Sequence, residues 1–360
     1  MKEPRPAVEI VSTGRWLPDR VVTNKDLEKE LDTSDEWIRE RTGITERRLA
    51  PKDMCVADMG ARASRIAMER AGVHPGEVDV IIVSTATPDR LLPSTACDLQ
   101  ALLGATNAAA YDISAACSGF LYALTIAEGH IVSGRAEIVL VVATEKMSSI
   151  VDWGDRSTAV LFGDGAGAVI VRRAENGRGL ISSFMRSDGT LAELLWRPGG
   201  GARMPMDVAV LDERNHLVKM AGREVFKAAV RSMAESADQA RRSRVRQRHV
   251  IERQIAALQL RPNSEERTRG IQQLREQLAS VRSRLDVLEG VREKAEEESK
   301  QPAAAAAAAG GRGGMLPAGP VGPAAQPASA SVRAVDSPST PAPATVTRGA
   351  LVMSLTTRWP

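Results

Sequence analysis

Cysteine is scarce in this chain: Cys55, Cys97 and Cys117 are the only three in 360 residues, and none stands in a C-x-x-C or other metal-ligand spacing. That excludes a disulfide-stapled scaffold and a zinc site, predicts no bound metal, and makes a reducing cytoplasm the natural compartment. Long apolar runs are also missing. No stretch approaches about 18 uninterrupted apolar residues, and the opening MKEPRPAVEIVSTG has no apolar leader core, so no membrane partner is expected. Histidine is limited to His74, His130, His216 and His249, and the last of these sits in VRQRHVIERQ, a charged helical setting. The basic run from Arg241 to Arg248 has no aromatic residues interleaved, which reads as a solvated helix face rather than a nucleic-acid surface.

What is present is unevenly distributed. Hydrophobic residues make up 43% of the chain, enough for a sizeable core. The net charge of +3 is the sum of two unlike parts. Residues 1–240 carry 29 Lys and Arg against 34 Asp and Glu, and the remaining 120 residues carry 19 against 11.

From Val8 to about Arg173, short β-branched runs alternate with helical stretches, the pattern of an α/β fold with strands buried on both faces. Strands are predicted at Val78–Thr85, Ala108–Ile113, Ile138–Thr144 and Ala166–Arg172. Helices are predicted at Asp53–Ala71 and Ser94–Leu103, each stopped by a glycine (Gly72, Gly104), and at Cys117–Ser133. Residues 177–220 read as irregular, with turns at Asp188-Gly189 and Gly199-Gly200-Gly201, before a helix over Ala221–Arg242. From Ser243 to Lys300 the sequence is rich in Arg, Glu, Gln and Leu. Ile271, Leu274, Leu278, Val281, Leu285 and Leu288 step by threes and fours, a heptad seam. Arg261-Pro262-Asn263-Ser264 separates it from an earlier helix bearing Ile251, Ile255 and Leu258, which predicts a helical hairpin or short coiled coil. Residues 301–360, rich in Ala, Pro and Gly, are predicted to be disordered.

Cys117 stands in YDISAACSGFLYAL, where a strand turns into a helix. The helix's unpaired N–H groups and positive end favour a thiolate there, and so a nucleophile with a lowered pKa. A small buried hydrophobe is the competing reading. Gly119 admits another backbone close by. The glycines of FGDGAGA (Gly163, Gly165, Gly167) lack a following Lys-Ser/Thr and lead into a strand, so they predict close packing beneath the site rather than a phosphate loop.

Five segments, in order, carry a resemblance: TSDEWIRERTGITERR (Thr33–Arg48), LPSTACDLQ (Leu92–Gln100), DISAACSGF (Asp112–Phe120), DRSTAVLFGDGAGAV (Asp155–Val169) and MAGREVFKAAV (Met220–Val230). Together they resemble β-ketoacyl-acyl-carrier-protein synthase III, a thiolase-like condensing enzyme, over residues 1–242. The resemblance implies a thiolase-like layered α/β fold. Its N-terminal half would be 1–173 and the start of its second half 174–242, followed by the helical segment 243–300 and the tail 301–360. The second half would be incomplete.

The resemblance further implies that Cys117 is acylated from an acyl-coenzyme A, a substrate rather than a bound cofactor. It places Trp37 and Arg156 on either side of the adenine ring, Thr33 and Arg41 near the nucleotide and its phosphates, and Leu92, where the family has Phe, at the acyl pocket across a homodimer interface. Acyl carrier protein would be the second partner, in a condensation that begins fatty acid synthesis. Segments resembling HQAN, GNTS and GGGFTWG, which handle decarboxylation and the oxyanion in that family, do not occur. Cys117 is therefore expected to accept an acyl group while condensation is impaired. A non-catalytic protein that assembles through 243–300 is the alternative.

Overall fold

The structure is a computed structural model that describes residues 7–175, 179–260 and 264–309. The chain opens with β1 (Val8–Trp16), β2 (Arg20–Thr23), α1 (Asn24–Leu27), α2 (Asp35–Thr42) and β3 (Glu46–Leu49). It continues through α3 (Val56–Ala71), β4 (Val80–Ser84), α4 (Thr95–Leu103), β5 (Ala109–Ile113), α5 (Gly119–Val132), β6 (Ile138–Lys146), α6 (Arg156–Ala159) and β7 (Asp164–Arg173). After these come β8 (Leu195–Trp196), α7 (Val208–Asp212), β9 (Lys219–Met220), α8 (Gly222–Gln259) and α9 (Glu265–Ala309).

A five-stranded sheet in the order β1-β7-β6-β4-β5 organises the first half. β4 runs parallel to both β5 and β6, whereas β7 is antiparallel to β6 and β1. All five residues of β4 are buried. Ile81 and Val83 face α3 and α4 and join Met59, Ala63, Ala67, Leu99, Leu140 and Val142 in one core. Val80 and Ile82 face α5 and join Ala123, Leu124, Ala127, Ile131, Val139 and Val141 in a second. That is the expected layered α/β arrangement, a sheet with helices packed on both faces. Gly72 and Gly104 close α3 and α4 at φ of 64° and 73°, the left-handed stop expected of them.

β1 lies directly against α3. The hydroxyl of Ser12 donates to the Ala67 carbonyl at 2.6 Å, and α3 offers small residues along this side. A Cβ on Gly14 would stand 2.1 Å from the Ala63 carbonyl oxygen and 2.6 Å from the Ala67 nitrogen. Both are backbone atoms of a packed helix and cannot turn aside.

Beyond β7 the described strands are short, β8 pairing only with β9. The structure then departs from the predicted boundaries in two ways. The predicted break at residue 242 is absent, because α8 runs unbroken from Gly222 to Gln259 through Arg-rich sequence free of Gly and Pro. Residues 301–309, expected in the tail, continue α9, and the run Ala303–Ala309 has the highest helix propensity available. Residues 310–360 and the predicted break at 261–263 lie outside the described residues.

α8 and α9 fold back on each other. Ile251, Ile255, Ile271, Val281 and Leu285 are buried together, with Leu258, Leu274 and Leu278 packed against them. The side chain of Leu288 lies outside those described. Leu258 touches Gly270, and Glu252 pairs with Arg282 at 3.7 Å, so the two helices are antiparallel and the seam closes within the chain.

Gly14→Ala tests the close approach of β1 to α3. The variant is expected to lose roughly 1–3 kcal/mol or more by overpacking, read as a lower midpoint in chemical denaturation. An unchanged midpoint would show that α3 moves aside freely.

Candidate active site

The parallel strands β6, β4 and β5 end along one edge of the sheet, the edge where open α/β sheets place ligands. β5 leads into a single 3-10 turn, Ala116–Ser118, and α5 starts at Gly119. Ala116 takes φ of 43°, a left-handed conformation that costs a residue with a Cβ roughly 1–3 kcal/mol. The strain turns the chain so sharply that Cys117, the next residue, stands exposed at the head of the helix. A strained strand-to-helix turn of this kind presents a nucleophile.

The floor beneath the turn is tight. A Cβ on Gly119 would lie 1.9 Å from the Ser84 hydroxyl and 3.1 Å from Ser84 Cβ. The close neighbour is therefore the side chain at the end of β4, and not another backbone as the sequence suggested. Gly163 has a different neighbour: its missing Cβ would meet Arg48 O at 3.0 Å and Arg47 Cβ at 3.1 Å, so it packs on β3 rather than beneath Cys117.

Ionisation of Cys117 runs against the sequence expectation. The thiol is pushed above its ordinary value, first by partial desolvation from the protein atoms crowded around the turn, even though the residue reaches the surface, and then by the charge of Glu145; only the Cys117 backbone N–H acts in the other direction. α5 proper begins two residues later, after the 3-10 turn, and the favourable effect of its N-terminal end is outweighed by desolvation and by Glu145.

Glu145 escaped the sequence reading. It ends the apolar run VLVVAT of β6, and a lone carboxylate closing a buried parallel strand is the signal that would have found it. One of its oxygens accepts from Ala86 N at 2.8 Å, the other from the Thr87 hydroxyl at 2.7 Å and the Thr85 hydroxyl at 3.3 Å. Burial pushes this carboxyl above its ordinary value, and hydrogen bonds from the Thr87 and Thr85 side chains and the Ala86 and Thr87 backbone offset part of the rise.

A second cluster gathers four of the predicted nucleotide residues. Trp37 and Arg41 are one turn apart on α2, and the Arg41 guanidinium lies 4.8 Å from the Trp37 ring centre. Arg156, at the start of α6, brings its guanidinium to 5.0 Å from the same ring and donates to the Asp32 carbonyl at 2.7 Å. Thr33, beside Asp32, has a buried hydroxyl with no hydrogen-bond partner among the described residues. A ring stacked on both sides takes roughly 3.5–4 Å per contact. The 5.0 Å gap therefore leaves no space between Trp37 and Arg156 for an adenine until Arg156 swings outward.

Leu92 stands apart from both groups. The loop after β4 is held by Asp89, which accepts from Val56 N at 2.6 Å and Ala57 N at 2.9 Å, and by an Arg90–Asp98 ion pair at 2.6 Å. Its tip projects outward, with Leu91 85% and Leu92 86% exposed. The rings of three histidines are engaged elsewhere. His74 caps a 3-10 turn, His130 meets the Tyr111 hydroxyl at 2.9 Å, and His249 lies beside Arg248 on α8. His216 lies before β9, where its carbonyl accepts from Arg197. Along the basic run, Arg242 pairs with Asp238 and Arg248 with Glu252. Among the described residues, no helix is long and apolar enough to cross a membrane.

Comparison with known proteins converges on one family. The family model of 3-oxoacyl-[acyl-carrier-protein (ACP)] synthase III matches residues 111–189, which contain Cys117. The beta-ketoacyl-[acyl-carrier-protein] synthase III of Caldanaerobacter subterraneus subsp. tengcongensis is 50% identical over 227 residues, 63% of this chain and 69% of that protein. The enzyme of the same name from Geobacillus kaustophilus is 49% identical over 227 residues, covering 63% and 68%. Among solved structures, 3-oxoacyl-[acyl-carrier-protein] synthase III from Aquifex aeolicus superimposes with a TM-score of 0.58 at 48% identity, covering 65% of this chain and 70% of that one. The priming β-ketosynthase of the R1128 polyketide pathway gives 0.58 at 36% identity, covering 66% and 70%. With that identity over more than two thirds of each relative, a shared layered fold and the cysteine turn inside the matched segment, the chain belongs to the β-ketoacyl-[acyl-carrier-protein] synthase III family of thiolase-like condensing enzymes.

Proposed function

We propose that this chain takes an acyl group from an acyl-coenzyme A onto Cys117. The observation that carries the reading is the strained turn at Ala116, which holds an exposed cysteine over the ends of the parallel strands. The Cys117 sulfur attacks the thioester carbonyl, the backbone N–H at the turn stabilises the oxyanion, and coenzyme A leaves as its thiol, taking the proton that Cys117 gives up. Thr33, Trp37, Arg41 and Arg156 hold the nucleotide, with a ring face and planar guanidinium groups for the adenine and cationic charge for the phosphates. Leu92, on its projecting loop, closes the acyl pocket of a second copy in a homodimer.

The second half-reaction uses malonyl-acyl carrier protein. Without counterparts of the HQAN and GNTS segments, condensation is impaired and the acyl-enzyme accumulates. A second reading, an interaction protein assembling through 243–300, draws support from the length of the hairpin, whose helices of 38 and 45 residues exceed what an irregular tail needs. The closure of its apolar seam in cis weighs against it.

Incubation of the purified chain with acetyl-CoA is expected to add one acetyl group to the intact mass, and Cys117→Ala is expected to abolish the adduct. Adding malonyl-acyl carrier protein should leave the adduct in place. Absence of any adduct on the native chain would refute acyl transfer, and rapid turnover to a ketoacyl product would refute the impairment.

Trp37→Ala is expected to remove a stacking contact of about 1–3 kcal/mol. The acetyl-CoA concentration giving half-maximal labelling should then rise about tenfold or more, while labelling by the truncated thioester acetyl-N-acetylcysteamine, which has no adenine, stays unchanged. Equal loss with both donors would assign Trp37 to folding rather than to the nucleotide.

A further inference from the structure

Acyl transfer to Cys117 makes no use of Glu145, yet the fold brings the two together. On β6, Val139, Val141 and Glu145 alternate onto the face that packs against α5, the helix that Cys117 precedes. On neighbouring β4, Ser84 points to the same face and meets Gly119 at the head of α5. The carboxyl is therefore at the strand ends directly under the cysteine turn, and it is the charged group acting on Cys117 among the described residues.

The surroundings of Glu145 contain little else that titrates. The segment after β4 contributes the hydroxyls of Thr85 and Thr87 and the Ala86 N–H. The next residue on β6, Lys146, points away and donates through Nζ to the carbonyls of Pro51, Lys52 and Met54. Across the ladder on β7, Gly165 brings no side chain, and Asp164 is held by Ser148 and Ala50. On β5, Asp112 accepts from Thr95 N and Ala96 N at the start of α4. Cys117 is left as the titratable partner.

We propose that Glu145 is a positioning residue for the nucleophile: while protonated it permits Cys117 to ionise beside it, and once ionised it opposes the thiolate, so this carboxyl sets the pH range in which the cysteine reacts. The proposal rests on Cys117 being the nucleophile, and it assigns Glu145 more than the pinning of Thr85–Thr87. Two acids that share a poorly hydrated site titrate as a coupled pair. The sign follows from charge: an anion next to the sulfur raises the thiol pKa, and the effect vanishes when the carboxyl holds its proton.

Alkylation by iodoacetamide reads the thiolate directly. The Cys117 sulfur forms a bond to the reagent's carbon, iodide leaves, and the thiol proton passes to buffer. The rate at Cys117 is followed by peptide mass spectrometry from about pH 5 to 10, with Cys55 and Cys97 as internal references. In the native chain, the logarithm of the rate should flatten over the interval where Glu145 loses its proton, rather than climb with unit slope throughout. In Glu145→Gln the flattening should disappear and the alkylation midpoint should fall by about 0.5–1 pH unit, whereas Glu145→Asp should keep the native midpoint.

A Glu145→Gln midpoint equal to the native one overturns the proposal, since a residue that only pins the loop would change the rate and not its pH dependence. If that variant loses the native circular dichroism, the native profile decides alone: unit slope throughout overturns the proposal. The assay needs no coenzyme A, so a chain that is not acetylated by acetyl-CoA but shows the coupled profile would defeat the acyl-transfer reading and leave this one standing.

Discussion

Burying both faces of β4 is the constraint on which the rest of the structure depends. A strand with no polar face demands a helix layer on each side, and α3 with α4 supply one while α5 supplies the other. Those layers must approach closely, which is why small residues concentrate where they touch: Gly14 under α3, and Gly119 over Ser84. The same closeness forces the turn between β5 and α5 to be short, and the short turn puts Ala116 in a left-handed conformation. The exposed cysteine is thus a consequence of packing, two steps removed from the strand that requires it.

Much of this could be read from the chain because it is written in local pattern. The predicted strands at 78–85, 108–113, 138–144 and 166–172 each overlap an observed strand, and Gly72 and Gly104 stop helices where expected. The seam of Ile271, Leu274, Leu278, Val281 and Leu285 likewise packs as its spacing suggests, because a repeat of threes and fours states which face is apolar. What escaped the reading depends on residues far apart in sequence. Nothing near Gly119 names Ser84 as its neighbour, and nothing near Trp37 says that Arg156 lies over its ring rather than leaving a gap. The break at 242 failed for another reason: a change in composition was taken as a change of element, while the helix propensity of the Arg-rich stretch carries straight across it.

Cys117 shows how competing effects are decided by magnitude. A helix end stabilises a charge by roughly 0.3–1 kcal/mol where it is exposed. Desolvation of a thiolate and a neighbouring carboxylate can each exceed that, since burial alone moves pKa values by up to several units. The positive end of α5 therefore loses to the partial desolvation of the sulfur and to Glu145, and the thiol is held up. Sequence reveals the helix end, because the strand-to-helix pattern is local. It conceals Glu145, because that residue arrives from a strand 28 positions later.

α5 carries more apolar surface than the described residues cover. Its sequence GFLYALTIAEGHIV is apolar nearly all round, the mark of a helix with protein on every side. Yet Leu121 is 60% exposed and Val132 55% exposed. Neither belongs to the apolar seam that α8 and α9 close on each other. The matched region covers 69% of the Caldanaerobacter relative, so the complement, about 31% of that protein's length, lies outside it. The stretch matched by the family model, residues 111–189, contains both Cys117 and α5. Among the described residues, the outer face of α5 is therefore left bare beside the turn that presents Cys117.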